Sequence, residues 1–148
     1  MKLKKMIQTD GLYMSWAISL IATLGSLYFS EIRGYIPCTY CWYQRILMYP
    51  LVIILGIAAL RKDVKIVVYT LPITILGVMI SGYHYIIQKT SLFQDTGSSC
   101  GIVPCNASYI NWLNFITIPF LSFIAFTLIS MILILIWKFA PNEKQEIK

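Results

Sequence analysis

The sequence predicts an all-α membrane protein, a four-transmembrane-helix bundle with both termini cytoplasmic, forming one integral membrane domain over residues 1–148. Three observations predict it. Hydrophobic residues make up 58% of the chain and charged residues only 12%, against roughly 45–50% and 25% in soluble domains. That leaves too little polar surface to coat a soluble globule. The apolar residues are also gathered into blocks, and crossing a bilayer core of about 30 Å takes roughly 20 helical residues. Finally, the positive charges collect between alternate blocks, as they do in polytopic proteins.

Four stretches qualify as spans: 13–30, 43–60, 66–87 and 115–137. The first two are somewhat short, and interfacial aromatics complete them. Trp42, Tyr43, Trp112 and Trp137 lie near span ends, as an aromatic belt expects. Lys2, Lys4 and Lys5 ahead of the first run also fit a signal peptide, but the run is long and Phe29-Ser30-Glu31 is a poor cleavage site, so the span is read as retained. Pro50, Pro72 and Pro119 fall inside or near the ends of spans and mark kinks, which neighbouring helices can accommodate. Outer loops are expected at 31–42 and 88–114. Within the second, residues 107–115 place Tyr109, Ile110, Trp112 and Leu113 beside Asn111 and Asn114, the pattern of a short amphipathic interfacial helix.

Orientation follows from the basic residues. Lys2, Lys4, Lys5, Arg61, Lys62, Lys65, Lys138, Lys144 and Lys148 fall on one side, and only Arg33, Arg45 and Lys89 on the other. The positive-inside rule puts the first group in the cytoplasm. The net charge of +6 is therefore topological; no basic stripe with interleaved aromatics suggests a nucleic-acid partner. The spans are almost purely apolar, which argues against a channel or transporter. No Gly-rich nucleotide fingerprint appears, and a single histidine offers little for haem ligation.

This topology places Cys38 and Cys41 in the first outer loop and Cys100 and Cys105 in the second, all facing an oxidising compartment. The first pair reads Pro37-Cys38-Thr39-Tyr40-Cys41-Trp42-Tyr43-Gln44-Arg45. A Cys-x-x-Cys closes so small a ring that it adds little stability through loop entropy; redox activity or metal binding suits it better. With a helix starting near Pro37, both thiols sit in its first turn, where the macrodipole favours a thiolate. Arg45 follows Cys41 by four residues, on the same face and one turn deeper. It suits a thiolate or a bound acceptor's oxygen, the alternative being a snorkelling interfacial charge. The second pair, Cys100-Gly101-Ile102-Val103-Pro104-Cys105, follows a polar stretch suited to an exposed loop. A structural staple and a Cys₄ zinc site are the alternatives to a second redox pair. His84, the single histidine, lies near the outer end of the third span with Gln88 one turn later. Intramembrane ionisable groups are functional candidates, and a hydrogen-bonded packing role is the competing reading of His84.

Four spans, Pro-Cys-x-x-Cys-Trp-Tyr-Gln-Arg opening the second, and a second outer cysteine pair together resemble the DsbB/BdbC family of quinone-linked disulfide-generating membrane oxidoreductases. The resemblance runs from the first span through the fourth, and the short spacing of Cys100 and Cys105 is similar to the BdbC-type branch. It implies a multi-pass protein of the bacterial plasma membrane that reoxidises an extracytoplasmic thioredoxin-fold thiol oxidase (DsbA/BdbD-like). In that relay the partner attacks the Cys100–Cys105 disulfide at Cys100, Cys105 attacks Cys38, and Cys41 is released as a thiolate at the quinone. Arg45 would hold the quinone oxygen, with Gln44, His84 and Gln88 lining the pocket. The resemblance implies a membrane quinone as cofactor, menaquinone ahead of ubiquinone, and no metal. A non-catalytic four-span scaffold with stapled loops, and a relay of the vitamin-K-epoxide-reductase type, are the rival readings.

Overall fold

The computed structural model describes residues 2–89 and 117–139. Cys100, Cys105, Trp112 and the surface helix expected at 107–115 lie outside the described residues. Within them the chain forms α1 (Lys2–Leu27), α2 (Thr39–Arg61), α3 (Val67–Lys89) and α4 (Ile118–Phe139). Four stretches, Gln8–Ile32, Thr39–Arg61, Val64–Gln88 and Ile118–Phe139, are long and apolar enough to cross a membrane. The all-helical, four-span class is thus as the composition predicts.

The helices overrun the apolar windows at several ends, and the reasons are local. α1 starts well before residue 13 because its first turns are packed: Leu12 is fully buried, and buried Gln8 donates its amide N–H to the Phe139 carbonyl at 3.2 Å. That bond ties the start of α1 to the end of α4. α2 starts at Thr39, four residues ahead of the apolar block, with Cys38 as its N-cap. It ends where Lys62 takes a left-handed conformation (φ 55) and the Asp63 carboxylate accepts the Lys65 N–H at 2.9 Å, opening a short 3₁₀ turn into α3. Pro50 and Pro72 lie inside α2 and α3, each removing one helical hydrogen bond. Pro119, expected to mark a kink, stands in the first turn of α4, where its missing N–H would have no helical partner, so no kink is required.

At the other end α1 widens into a π-helical turn, Tyr28–Ile32. The Arg33 and Tyr35 N–H groups donate to the Tyr28 and Phe29 carbonyls at 3.2 and 3.1 Å. Gly34 (φ 67) then turns the chain, in a region open to glycine at no steric cost, and an extended stretch leads to Cys38.

Helix α1 packs on α2 and α4, and α3 on α2 and α4, so the four close a ring. Its interior is filled by Leu12, Leu51, Leu55, Phe126, Ile129 and Leu133, all fully buried. At Gly77 of α3 a Cβ would collide with the Phe126 ring, so the close α3–α4 approach depends on the missing side chain. Large apolar residues such as Ile21, Leu60, Tyr69 and Met131 face outward, while hydroxyls turn inward. Ser19, Thr70, Thr74 and Ser81 are buried and donate to carbonyls three or four residues back, at 2.7–3.1 Å. Such back-bonding satisfies a hydroxyl without water. The bundle therefore has one end made of the α1 start, the α2–α3 turn and the α4 end. The opposite end is made of the π turn, Cys38, the end of α3 and the start of α4.

Candidate functional site

The second of these ends holds the candidate site. Cys38 caps α2 and Cys41 stands in its first turn, both as free thiols, with sulfurs 3.1 Å apart. The helix N-terminus surrounds them with positive potential. Helical spacing then carries Gln44, Arg45, Met48 and Tyr49 along the same face as Cys41, and all four line one cavity with both cysteines. Across it, α3 supplies His84 and Gln88, α1 supplies Ser26 and Phe29, and α4 supplies Pro119 and Phe126.

His84 is 2% exposed and sits between two partners. Its Nε2 lies 3.6 Å from Cys38 Sγ and its Nδ1 lies 3.1 Å from Gln44 Nε2, Gln44 being buried as well. With the Gln44 amide donating to Nδ1, the ring proton rests on Nε2 and faces the Cys38 sulfur. The Tyr40 ring packs against the imidazole with centroids 5.6 Å apart. Cys38, just ahead of the span, has its thiol lowered to about 4. The hydrogen bond from Cys41 is the main cause, burial opposes it, and the His84 contact adds to the lowering.

Arg45 is held rather than neutralised. Its Nη2 donates to the Ser26 carbonyl of α1 at 3.2 Å, and its guanidinium carbon lies 5.6 Å from the Trp42 ring. Among the described residues its contacts are a carbonyl and an aromatic face, with no carboxylate. A guanidinium so placed keeps donors for a further acceptor. Phe29 and Tyr35 stack at 6.3 Å with rings 12° apart, giving the cavity a flat aromatic wall.

The structure thus brings Cys38, Cys41, Gln44, Arg45, His84 and Gln88 around a single cavity, while Cys100 and Cys105 lie outside the described residues. Phe29, Tyr35, Tyr49 and Phe126 were not singled out from sequence. Tyr49 had a signal, standing four residues past Arg45 and eight past Cys41. Phe29 and Tyr35 had none, because they reach the cavity through the π turn and the Gly34 bend. Cys38, Cys41 and His84 also offer three ligand atoms within 4.8 Å of one another, two thiols and an imidazole of the kind that zinc accepts. The Cys₄ set weighed above needs the second pair and lies partly outside the described residues.

The family model for disulfide bond formation protein DsbB matches residues 11–137. Disulfide bond formation protein C of Bacillus subtilis (strain 168) is 56% identical over 135 residues, covering 91% of this chain and 95% of that protein. A probable disulfide formation protein C 1 of Bacillus anthracis is 55% identical over 124 residues, 84% of this chain and 89% of that protein. A probable disulfide formation protein of Coxiella burnetii (strain Dugway 5J108-111) is 42% identical over 137 residues, 91% of this chain and 92% of that protein. No solved structure matches. With four spanning helices and a paired-thiol cavity at one end, this chain belongs to the DsbB family of disulfide bond formation proteins, in its BdbC-like branch, and is a multi-pass membrane oxidoreductase.

Proposed function

We propose that this chain reoxidises an extracytoplasmic thioredoxin-fold thiol oxidase and delivers the electrons to a membrane quinone, with both termini cytoplasmic and both cysteine pairs on the outer face. The observation that carries this reading is the juxtaposition of Cys41 and Arg45 on successive turns of α2, lining one cavity within the bundle. The basic residues at the α1 start, the α2–α3 turn and the α4 end support the orientation.

The relay balances as follows. A thiolate of the reduced partner attacks Cys100 of a Cys100–Cys105 disulfide, forming a mixed disulfide and freeing Cys105. The partner's second thiol then resolves the mixed disulfide, so the partner leaves oxidised with its two electrons and two protons left on Cys100 and Cys105. Cys105 attacks Cys38 of a Cys38–Cys41 disulfide, Cys41 leaves as a thiolate, and Cys100 displaces Cys38 to restore the outer disulfide. Exchange of this kind is favoured by a leaving thiol that is stabilised as thiolate. For Cys41 the helix N-terminus and the Arg45 guanidinium one turn deeper supply that stabilisation.

The cavity fits a flat aromatic dione. Its walls are apolar and aromatic, Phe29 and Tyr35 stack in parallel, and Arg45 presents a cation not engaged by a carboxylate among the described residues. A membrane quinone, menaquinone ahead of ubiquinone, would supply a two-electron, two-proton sink that returns the inner pair to its disulfide. Arg45 would hold a quinone oxygen, with Gln44, His84 and Gln88 lining the pocket. The relay requires no metal.

Purified protein mixed with a reduced thioredoxin-fold partner and a soluble naphthoquinone tests this directly. One quinol should appear for each partner disulfide formed. A protein that leaves both partner thiols and quinone unchanged would hand the account to a stapled scaffold.

A further inference from the structure

We infer that Tyr49 is a second quinone-binding residue, its phenol donating a hydrogen bond to the carbonyl oxygen farthest from Cys41; this rests on the quinone-linked reading above. The first observation is an unmet polar group. The Tyr49 hydroxyl is shut off from solvent and has no hydrogen-bond partner. Elsewhere in the bundle, inward hydroxyls such as those of Thr70, Thr74 and Ser81 bond back to their own helix. A tyrosine hydroxyl is carried too far from its backbone to do so. An unpaired buried hydroxyl is costly in a membrane interior, so an acceptor that arrives with a ligand would relieve it.

The second observation is place. Ser15, Thr23, Thr117 and Ser130 also carry buried unpartnered hydroxyls, but among the described residues only Tyr49 of these lines the cavity with Cys41 and Arg45. Cys41, Arg45 and Tyr49 follow one another at four-residue steps on α2. Each step rises roughly 6 Å along the axis, comparable to the separation of the two oxygens of a para-quinone. A ring with one oxygen at Arg45 therefore has its other oxygen one turn deeper, at Tyr49. The two donors read a dione at both ends, which a mono-ketone of the same ring could not satisfy.

The test is binding, read without turnover. Quenching of tryptophan fluorescence by a short-chain 1,4-naphthoquinone is titrated into the full-length protein and into Tyr49→Phe, beside the matching mono-ketone, 1-tetralone. Tyr49→Phe should bind the quinone about three- to ten-fold more weakly, the range for one hydrogen bond, with tetralone affinity unchanged. Thermal unfolding without quinone should be unchanged or slightly higher, because the hydroxyl that is removed has no partner there. Equal quinone affinity in both proteins would overturn the assignment while leaving the quinone-linked reading intact. A lowered melting temperature of the quinone-free variant would also overturn it, by showing a structural bond. Failure of the unsubstituted protein to bind the quinone would overturn both readings.

Discussion

The two ends of this bundle are built from the same apolar helices and differ in the chemistry that lines them. At the end away from the cysteines Leu12, Leu55, Leu133 and Ile136 share one apolar core, and Gln8 is tied to the Phe139 carbonyl within the protein. At the cysteine end the π turn and the Gly34 bend carry Phe29 and Tyr35 to a cavity shared with α2, α3 and α4. That end holds a guanidinium without a carboxylate partner among the described residues, a thiol pair at a helix N-terminus, and an unpaired phenol. The thiols, the guanidinium and the unpaired phenol gather at the cysteine end, while unpartnered hydroxyls at Ser15 and Ser130 lie nearer the other. In the proposed relay the apolar core holds the fold while the cavity at the cysteine end is free to take a ligand.

Substitutions that act on one end alone can break this division. Cys41→Ser should reduce coupled quinone reduction to background while leaving the melting temperature within a degree or two of the unsubstituted protein. A large loss of stability would mean that the cysteine end also supports the fold. Arg45→Ala should weaken coupled reduction about ten- to hundred-fold, the range for a hydrogen bond to a charged group. Arg45→Lys should recover only part of it, because an ammonium lacks the planar fork; full recovery would reduce Arg45 to a point charge.

The converse substitution is Leu133→Ala in the apolar core away from the cysteines. It should cost about 2 kcal/mol of stability in detergent unfolding, the low end of the range for such truncations, because lipid replaces water as the outer solvent. Activity per folded molecule should stay the same. A drop in specific activity would show the two ends to be coupled.

The smallest effect concerns Cys38. Its lowered value means that the thiolate persists down to about pH 4, whereas an ordinary cysteine loses its thiolate as pH falls through about 8.5. Alkylation of Cys38 in the reduced protein should therefore run at full rate through neutral pH and decline only as pH approaches 4. Replacing His84 with Phe should move that decline to higher pH, since the imidazole contact adds to the lowering. An unchanged profile would leave His84 as a packing residue.

The sequence disclosed this division unevenly. The four spans and the Cys38–Cys41–Arg45 stripe were legible, because span length and four-residue spacing are one-dimensional signals. The inner walls were not. In lipid, both the inward and the outward face of a helix are apolar, so the periodicity that marks a soluble core is nearly erased. Nothing in their residue types separates inward Leu51 from outward Ile53. Phe29 and Tyr35 were not singled out because their route to the cavity depends on a π turn that composition does not announce. His84 and Gln44 were found as separate suspects, and only the folded chain makes them one chain of contacts to Cys38.

In the proposed relay the Cys38–Cys41 pair is where electrons leave for the quinone. That exit is tested most directly with a Cys100→Ser, Cys105→Ser double variant, reduced, freed of reductant and mixed with a naphthoquinone in the absence of partner. The account predicts one Cys38–Cys41 disulfide and one quinol per molecule, followed by no oxidation when reduced partner is added. If the inner pair stays reduced beside unreacted quinone, or if the variant oxidises the partner as well as the unsubstituted protein does, the cavity is not the electron exit and the assignment of the two pairs is wrong.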